Sequence, residues 1–376
     1  MDFDLSDEQV MLRDSVTRFL DGAYSAERRS RAAASPLGYD AAVWRSFAEA
    51  GWIGLPLSEE VGGIGGGAVD TMVMMECLGA SAVIEPYLAS ALLAGRLLDA
   101  LGSAQQRQHW LPAVIAGEKT LALAFAEPEG RYEIASVRTR ARAVEDGYVL
   151  SGRKTLVLNG ARADAVLVVA RTAGTEFSPA GLSVFLVGAD RVTVAQDCRN
   201  VDGSHAADLV FDDVRLPPQA LVGAEGQAFG ALEAAIDFAT LAVAAGAVGA
   251  MQVVNATTVD YLKTREQFGT VIGRFQALQH RVVDMTMALE LARSLVMVAA
   301  IKIDENAPDA AALVSAAKSQ VGRAGRFIGK NAVQLHGGIG VSQEYALGHY
   351  FKYLLASDIL LGDSSYHAAR FKAAAG

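Results

Sequence analysis

Cysteine is rare in this chain, since only Cys77 and Cys198 occur among its 376 residues. Two thiols so far apart in sequence provide neither a disulfide framework nor a cysteine-based metal cluster. We therefore expect no metal site. Because disulfides persist mainly in oxidising compartments, the scarcity of cysteine favours a reducing cytoplasm.

Long apolar runs and a basic leader are missing as well. Although 52% of the residues are hydrophobic, no stretch of 18 or more uncharged apolar residues occurs, so no transmembrane helix is predicted. The first residues, Met1 to Leu5, are acidic and lack the basic region of a signal peptide. These features predict a cytoplasmic protein that does not insert into a membrane.

Positive charge is also in deficit, because 33 lysines and arginines stand against 42 aspartates and glutamates and the formal net charge is −9. Surfaces that bind nucleic acids carry clustered positive charge, so no nucleic-acid partner is expected. A few local arginines can still bind a phosphate-containing ligand against a negative background.

Residues 1–118 have the pattern of a helical domain. Ser6 and Gln9 form the sequence signature of a capping box, and an apolar stripe at helical spacing follows. Further helices are predicted at about 41–51, 68–80, 85–101 and 104–116. The glycine-rich stretch 56–67 lacks the strand-then-helix context of a dinucleotide fingerprint, so an irregular loop is predicted there.

Residues 119–227 change to short apolar runs with a period of two, separated by turn signals. Strands are predicted at Thr120–Ala126, Tyr148–Ser151, Ala165–Ala170, Leu182–Val187 and Ala207–Phe211. Because no helical patterns separate these strands, they predict a small antiparallel β-barrel or sandwich.

Residues 228–376 return to helical patterns. Helices are predicted at about 228–264, 276–304, 308–336 and 342–359, with a short one near 364–374. Four long helices with brief connections predict a four-helix bundle. The fold class is therefore α+β, mainly α, with domains at 1–118, 119–227 and 228–376.

Three local motifs, taken together and in their order along the chain, resemble the acyl-CoA dehydrogenase family. The stretch from Arg265 to Gly269 is similar to the family's Arg-x-x-Phe-Gly element, and Gln334-x-x-Gly337-Gly338-x-Gly340 is similar to a second element. Phe211 to Pro217 resembles the exit from the family's β-domain. The resemblance covers almost the whole chain and is nearest to the small subunits of pimeloyl-CoA dehydrogenase, on the stretches Tyr261–Gly269, Gln276–Arg281 and Gly348–Lys352.

The resemblance implies an FAD enzyme that desaturates an acyl-CoA thioester between its α and β carbons. In the family a glutamate removes the α-proton while a hydride passes to the flavin, and an electron-transfer flavoprotein is the expected electron acceptor. A carboxylate base of this kind needs a dry pocket, in which desolvation raises its pKa towards neutrality.

One half of the family's FAD site matches this chain well, namely the half that a subunit contributes to the flavin of its neighbour. The matching residues are Arg265 for the pyrophosphate, Phe268 and Gln276 near the adenosine end, and Gln334 with Gly337 and Gly338 for a further contact to the dinucleotide. Without the resemblance, Arg265 could equally form a surface salt bridge, and the two glycines could simply end a helix.

The other half of the site, which a subunit keeps for its own flavin ring, differs from the family at several positions. Leu361 occupies the position of the catalytic glutamate, and Ala239 the alternative position that some members use. Asp363, two residues beyond Leu361, is a weak candidate for a displaced base. His349 and His367 are weaker candidates that could titrate near neutrality.

The residues expected to contact the flavin ring also differ from those of the family. The family's Thr-Glu-Pro is replaced by Ala126-Glu127-Pro128, and the following Gly-Ser-Asp by Arg131-Tyr132-Glu133. The family's Trp-Ile-Thr is replaced by Leu156-Val157-Leu158. The resemblance therefore implies that two hydroxyl groups and one tryptophan that contact the flavin are absent.

Three hypotheses follow. In the first, the chain is a subunit of a heteromeric acyl-CoA dehydrogenase, a dimer of heterodimers, and completes the FAD site of a partner that supplies the glutamate. In the second, it is a self-sufficient homotetramer with Asp363 as the base. In the third, it is a flavin-free acyl-CoA-binding or scaffold subunit. The resemblance suggests fatty-acid or dicarboxylate degradation, with dicarboxylic or ring-derived CoA esters as substrates.

Overall fold

The computed structural model describes residues 3–342 and 345–375. Met1 and Asp2, on which part of the signal-peptide prediction rests, lie outside this range. The first helices are α1 (Asp7–Ala23), α2 (Ala26–Ala34), α3 (Ala41–Glu49), α4 (Ala68–Ala80), α5 (Arg96–Leu101) and α6 (Ala104–Ile115). A π-helical segment, Leu88–Gly95, precedes α5 directly.

The middle of the chain forms one sheet. Its strands are β1 (Leu121–Ala124), β2 (Arg140–Val144), β3 (Gly147–Leu158), β4 (Ala165–Arg171), β5 (Leu182–Gly188), β6 (Thr193–Arg199), β7 (His205–Leu216) and β8 (Leu221–Val222). The strand order is β6-β7-β3-β2-β4-β5-β8, with β1 paired to β4.

Long helices form the remainder of the chain. They are α7 (Phe229–Thr264), α8 (Gln276–Asp304), α9 (Ala310–His336), α10 (Leu347–Ile359) and α11 (Ser364–Ala375). Two short strands, β9 (Glu266–Gln267) and β10 (Thr270–Val271), form a hairpin between α7 and α8. The fold is therefore mainly helical, with a helical first segment, a β middle segment and a helical bundle at the end, as the sequence predicts.

The chain divides into two compact units that do not follow its linear order. The first unit contains residues 1–29, 67–83 and 240–376, and the second contains 30–66 and 84–239. The predicted segments 1–118, 119–227 and 228–376 describe the order of elements along the chain, whereas the units describe which elements pack together. Helix α7 begins in the second unit and ends in the first.

The first unit is held together by helices that approach each other unusually closely. A Cβ atom added at Gly79 in α4 would lie 1.8 Å from the carbonyl oxygen of Gly246 in α7, and one added at Gly249 would lie 1.9 Å from the carbonyl oxygen of Glu76. Glycines on both helices therefore allow backbone-to-backbone packing that no larger residue permits.

The core of the second unit lies on the sheet and consists of small and branched side chains. It includes Leu150, Val166, Val168, Phe185 and Leu209, all of which are fully buried. Most strand pairs are antiparallel, but β1 and β2 pair with β4 in parallel. The sequence pattern predicts antiparallel pairing only, because strand direction depends on how distant segments meet and leaves no local signal.

Helix α7 has the length and composition of a membrane-spanning segment, with a mean hydropathy of 1.7 in its most apolar window. However, 94% of that window is buried inside the protein. Such burial is typical of a core helix whose apolar surface is covered by neighbouring helices.

Candidate FAD-binding surface and base position

The end of α7 leads into a hairpin that presents Arg265 and Phe268. The two-residue loop consists of Phe268 and Gly269, whose φ values are +56° and +76°. Two positive φ values at these positions define a type I′ turn, which fits the twist of a hairpin. Because phenylalanine rarely adopts this conformation, the turn is strained at Phe268, whose ring is 89% exposed.

Arg265 lies at the start of this hairpin and its side chain is exposed. Its backbone N–H donates to the carbonyl of Tyr261 (2.9 Å), and its carbonyl accepts from Ile272 N–H (2.9 Å), which closes the hairpin. Its guanidinium forms no ion pair or hydrogen bond with any residue in the ranges described here. A surface salt bridge therefore does not account for this arginine.

The first turn of α8 presents Gln276, and the last turn of α9 presents Gln334. Both side chains are exposed and neither amide hydrogen-bonds to another described residue. Gln279, one turn along α8, donates instead to Gly273 O (2.9 Å) and so fixes the connection that leads into α8. The two free amides are therefore available to a ligand.

Helix α9 ends at a turn formed by Gly337 and Gly338. Gly337 has φ +65° and ψ −142°, a conformation that effectively requires glycine. Gly338 has no positive φ, and a Cβ atom added to it would meet nothing within 4 Å. Nothing in the described chain explains glycine at position 338, but the approach of an external ligand would.

These residues fit the adenine-dinucleotide end of FAD. An unpaired guanidinium suits a pyrophosphate, an exposed aromatic ring suits the adenosine end, and a glycine without an internal role suits close contact with a ligand backbone. All of them belong to the first compact unit. All six residues predicted from the sequence to contact FAD are therefore exposed. Phe268 also makes an edge contact with the ring of Phe275 (centroids 6.2 Å apart), and Gly337 also ends α9.

Gly338→Ala tests this interpretation. We expect the unliganded protein to keep its stability, because the added methyl group meets no atom of the chain, whereas FAD binding should weaken about tenfold through steric exclusion. Thermal unfolding of the unliganded protein and flavin titration would measure the two effects. Gly22→Ala, at an equally open position in α1, is the matched control and should leave FAD binding unchanged.

The predicted base position lies in a tight loop between α10 and α11. Leu361 has φ +59° and Gly362 has φ +113°. The buried ammonium of Lys318 donates to Asp358 O (2.9 Å) and Gly362 O (2.6 Å), and His367 Nε2 donates to Leu361 O (3.0 Å). The loop is therefore rigidly built, but the side chain at position 361 carries no acid–base group.

Asp363 has a role in the fold that involves no proton transfer. Its carboxylate accepts hydrogen bonds from the backbone N–H groups of Ser365 (2.9 Å) and Tyr366 (2.8 Å), as an N-cap does at the start of α11. Capping accounts for an aspartate here. Its assignment as the base stays a prediction.

His367, which contacts this loop, differs from the expectation that it titrates near neutrality. Burial lowers the pKa of His367 to about 4, despite its hydrogen bond to Leu361. Burial also lowers the pKa of His349, with nearby Arg29 and Lys352 acting in the same direction. His367 is therefore neutral at pH 7, and the prediction that it titrates near neutrality is wrong.

The alternative base position and its neighbour lie inside α7. Ala239 and Thr240 are both fully buried. Neither side chain carries a carboxylate, so a base at this position stays absent if the predicted alignment with the family holds.

The segment Leu156–Leu158, which is predicted to replace the family's Trp-Ile-Thr, has an unusual backbone. Leu156 has φ +51° and is 62% exposed, at an irregularity in the pairing of β3 with β7. Asp208 fixes this bulge by accepting from Leu156 N–H (3.0 Å) and from the hydroxyl of Thr155 (2.6 Å). The bulge presents a large side chain to the outside, but that side chain is now aliphatic.

A buried ion pair behind this region escapes detection in the sequence. Lys154 is fully buried, and its ammonium lies 2.7 Å from the Glu127 carboxylate and 3.1 Å from Phe125 O. Glu127 also accepts from the N–H groups of Arg138 and Thr139. Burial alone would raise the pKa of Glu127, but Lys154 and these N–H groups outweigh it and hold the pKa below its ordinary value.

The described part of the chain contains no group of three or more His, Cys, Asp or Glu side chains placed to hold a metal ion. Cys77 is buried, Cys198 is partly buried, and both are free thiols.

Three family models together match nearly the whole chain. The acyl-CoA dehydrogenase N-terminal domain matches residues 6–118, the middle domain 122–214 and the C-terminal domain 226–375. Among individual proteins, the mitochondrial isovaleryl-CoA dehydrogenase of Arabidopsis thaliana is 31% identical over 354 residues, which cover 92% of this chain and 86% of the plant protein.

Solved structures agree with this similarity. The FAD complex of PigA has a TM-score of 0.93 at 27% identity, and the match covers 100% of this chain and 99% of the PigA chain. The ChsE4-ChsE5 complex from Mycobacterium tuberculosis has a TM-score of 0.89 at 26% identity, with 99% of this chain and 98% of the matched chain covered.

Proposed function

The chain belongs to the acyl-CoA dehydrogenase family, an FAD-dependent family, and we propose that it is the subunit of a heteromeric enzyme that completes the FAD site of a partner subunit. In this arrangement the partner supplies the catalytic glutamate and the contacts to the flavin ring. One FAD then serves each pair of subunits, and a dimer of heterodimers holds two.

The observation that carries the proposal is the contrast between the two halves of the site. Arg265, Phe268 and Gln334 are exposed, and neither the Arg265 guanidinium nor the Gln334 amide hydrogen-bonds to a described residue, as expected of residues that face a ligand held by a neighbour. At the predicted base position, in contrast, Leu361 lies in a loop held by hydrogen bonds from Lys318 and His367, and its side chain carries no carboxylate. A chain that contributes only to the FAD site of its neighbour needs the first half of the site and not the second.

The chemistry divides between the two subunits accordingly. FAD, when bound, accepts the hydride from the β carbon of the acyl-CoA thioester. This chain contributes a cation and backbone donors that hold the dinucleotide end, which orients the cofactor and neutralises phosphate charge. Proton removal from the α carbon requires a carboxylate of the partner, since this chain has Leu361 and Ala239 at the family's two positions.

Further features of the proposal rest on the resemblance alone. They are a cytoplasmic location, an electron-transfer flavoprotein as acceptor, and dicarboxylic or ring-derived CoA esters as substrates, as for the pimeloyl-CoA dehydrogenase small subunits. The similarity to a chain of the ChsE4-ChsE5 complex supports a partner that is a different polypeptide.

Flavin stoichiometry tests the proposal. The chain should be purified alone and together with a homologous partner that retains the glutamate, and flavin absorbance should be compared with protein concentration. We expect about one FAD for every two subunits in the pair, and dehydrogenation by the pair only. A lone chain that forms a yellow, active homotetramer with one FAD per subunit would contradict the proposal.

Asp363→Asn distinguishes the heteromeric proposal from the self-sufficient alternative, in which Asp363 is the base. Asparagine caps helices about as well as aspartate, so the start of α11 should stay intact while the basic group is lost. We expect turnover of the active assembly to remain unchanged, with flavin still bound. Loss of turnover at full flavin occupancy would favour the self-sufficient enzyme, and Asp363→Ser would control for helix capping.

A further inference from the structure

Two aromatic rings connect the two segments that face the dinucleotide. Tyr261 lies in the last turn of α7, and its ring stacks on the ring of His336 with centroids 4.4 Å apart and an interplanar angle of 26°. The hydroxyl of Tyr261 also donates to the backbone carbonyl of His336 (3.3 Å). The ring of Tyr345 lies 5.3 Å from His336 at a tilt of 50°.

His336 is itself firmly held. It is 3% exposed, and its Nδ1 lies 2.8 Å from Ala332 O. Because a carbonyl oxygen can only accept, Nδ1 carries the proton. Burial lowers the pKa of His336, and the hydrogen bond to Ala332 opposes this effect only in part. Its Nε2 is buried and has no hydrogen-bond partner among the residues that the structure describes.

The position of these rings in the chain gives the contact its consequence. Tyr261 precedes Arg265 by one helical turn, and its backbone carbonyl accepts a hydrogen bond from the backbone N–H of Arg265. His336 is the last residue of α9 and directly precedes Gly337. Fixing one ring on the other therefore fixes the start of the hairpin relative to the glycine turn, although the two segments are about 70 residues apart in sequence.

We propose that the Tyr261–His336 stack is a positioning device, which sets the separation between Arg265 and the Gly337–Gly338 turn before FAD arrives. The inference rests on the proposed function, because it assumes that both segments contact the same dinucleotide. Neither ring needs to touch the cofactor. The stack reduces the conformational freedom that binding must otherwise remove, which is how preorganisation increases affinity.

The test measures FAD affinity by flavin fluorescence in the assembly that binds FAD, together with the unfolding temperature of each variant. Tyr261→Leu and His336→Leu should each weaken FAD binding about tenfold. The double variant should be little worse than either single variant, because both remove the same contact. His336→Phe, which retains a flat ring against Tyr261, should recover most of the affinity.

A matched control separates positioning from general damage. Tyr350 is another partly buried tyrosine of the same unit, and its hydroxyl donates to Ala80 O (2.6 Å) in α4 rather than to the hairpin or the glycine turn. Tyr350→Leu should lower stability without weakening FAD binding. If Tyr350→Leu weakens FAD binding as much as Tyr261→Leu, the positioning role is rejected.

Arg265→Ala distinguishes the failure of this inference from the failure of the proposed function. If Arg265→Ala weakens FAD binding while the Tyr261 and His336 variants bind normally, the stack has no positioning role and the proposed function stands. If Arg265→Ala also binds FAD normally, these segments do not face the dinucleotide and both proposals fail.

Discussion

Replacing Lys154 with alanine is expected to lower the free energy of unfolding by about 3–5 kcal/mol, because it leaves the Glu127 carboxylate buried without its cation. Lys154 is fully buried and Glu127 is nearly so. The carboxylate would keep its two backbone donors from Arg138 and Thr139, but these do not neutralise its charge. Chemical denaturation of the variant and the wild type at pH 7 would measure the difference.

The matched control is an exposed pair with the same chemistry. The Nζ atom of Lys302 lies 2.6 Å from the carboxylate of Glu305 at the C-terminal end of α8, where the pair is accessible to solvent. Lys302→Ala should change stability little, because ion pairs at the surface contribute little. Replacing Lys154 and Glu127 together by apolar residues of similar size should recover much of the loss. A Lys154→Ala variant as stable as Lys302→Ala would show that the buried pair is unimportant.

The same pair predicts a dependence on acid. Because the folded state holds the pKa of Glu127 below its ordinary value of 4.5, the stabilisation is fully present above pH 4.5 and is lost as pH falls through the lowered value. We expect this part of the acid sensitivity to be smaller in Lys154→Ala, since the cation that lowers the pKa is absent. Unfolding free energies of the variant and the wild type, measured between pH 3 and 7, would reveal the difference in acid sensitivity.

Replacing Arg265 with alanine is expected to weaken FAD binding about 10- to 100-fold, which corresponds to the loss of one charge-assisted contact to a phosphate. Stability should hardly change, because the guanidinium is exposed and forms no ion pair or hydrogen bond with the described residues. Flavin titration of the assembly that binds FAD, with thermal unfolding alongside, would measure both.

Two further variants make this result specific. Arg323→Ala removes the same charge from an exposed position of α9 and should leave FAD binding unchanged. Arg265→Lys keeps the charge but loses the planar pair of donors, so an intermediate loss is expected. Equal effects of Arg323→Ala and Arg265→Ala would indicate that only net charge matters.

Helices were the most predictable part of the fold. The capping box at Ser6 and Gln9 is confirmed, with both reciprocal hydrogen bonds present. The predicted bounds of α4 at 68–80 and α8 at 276–304 are also confirmed. Such long elements carry enough periodic positions to be recognised from one sequence.

Elements without an apolar pattern were not predicted. Helix α2 and strands β2 and β6 are polar or rich in arginine, and six of the seven residues of β6 are exposed. They adopt their structures because neighbouring strands or helices supply partners. The helix predicted at 342–359 begins at Leu347, and residues 343 and 344 lie outside the described range.

For the candidate site, the sequence by itself determined which chemical groups are present. It supplied Arg265, Gln334 and the paired glycines, and it has Leu361 at the predicted position of the catalytic glutamate. These are matters of identity, and no fold can restore a carboxylate that the chain does not contain.

Only the tertiary structure decided whether those groups are available to a ligand. The exposure of Arg265, the open space at Gly338 and the stacking of Tyr261 on His336 depend on residues far apart in sequence. So does the burial of Lys154 beside Glu127. The physical reason is that exposure, charge pairing and ring contact are properties of the packed chain, which no local pattern of residues encodes.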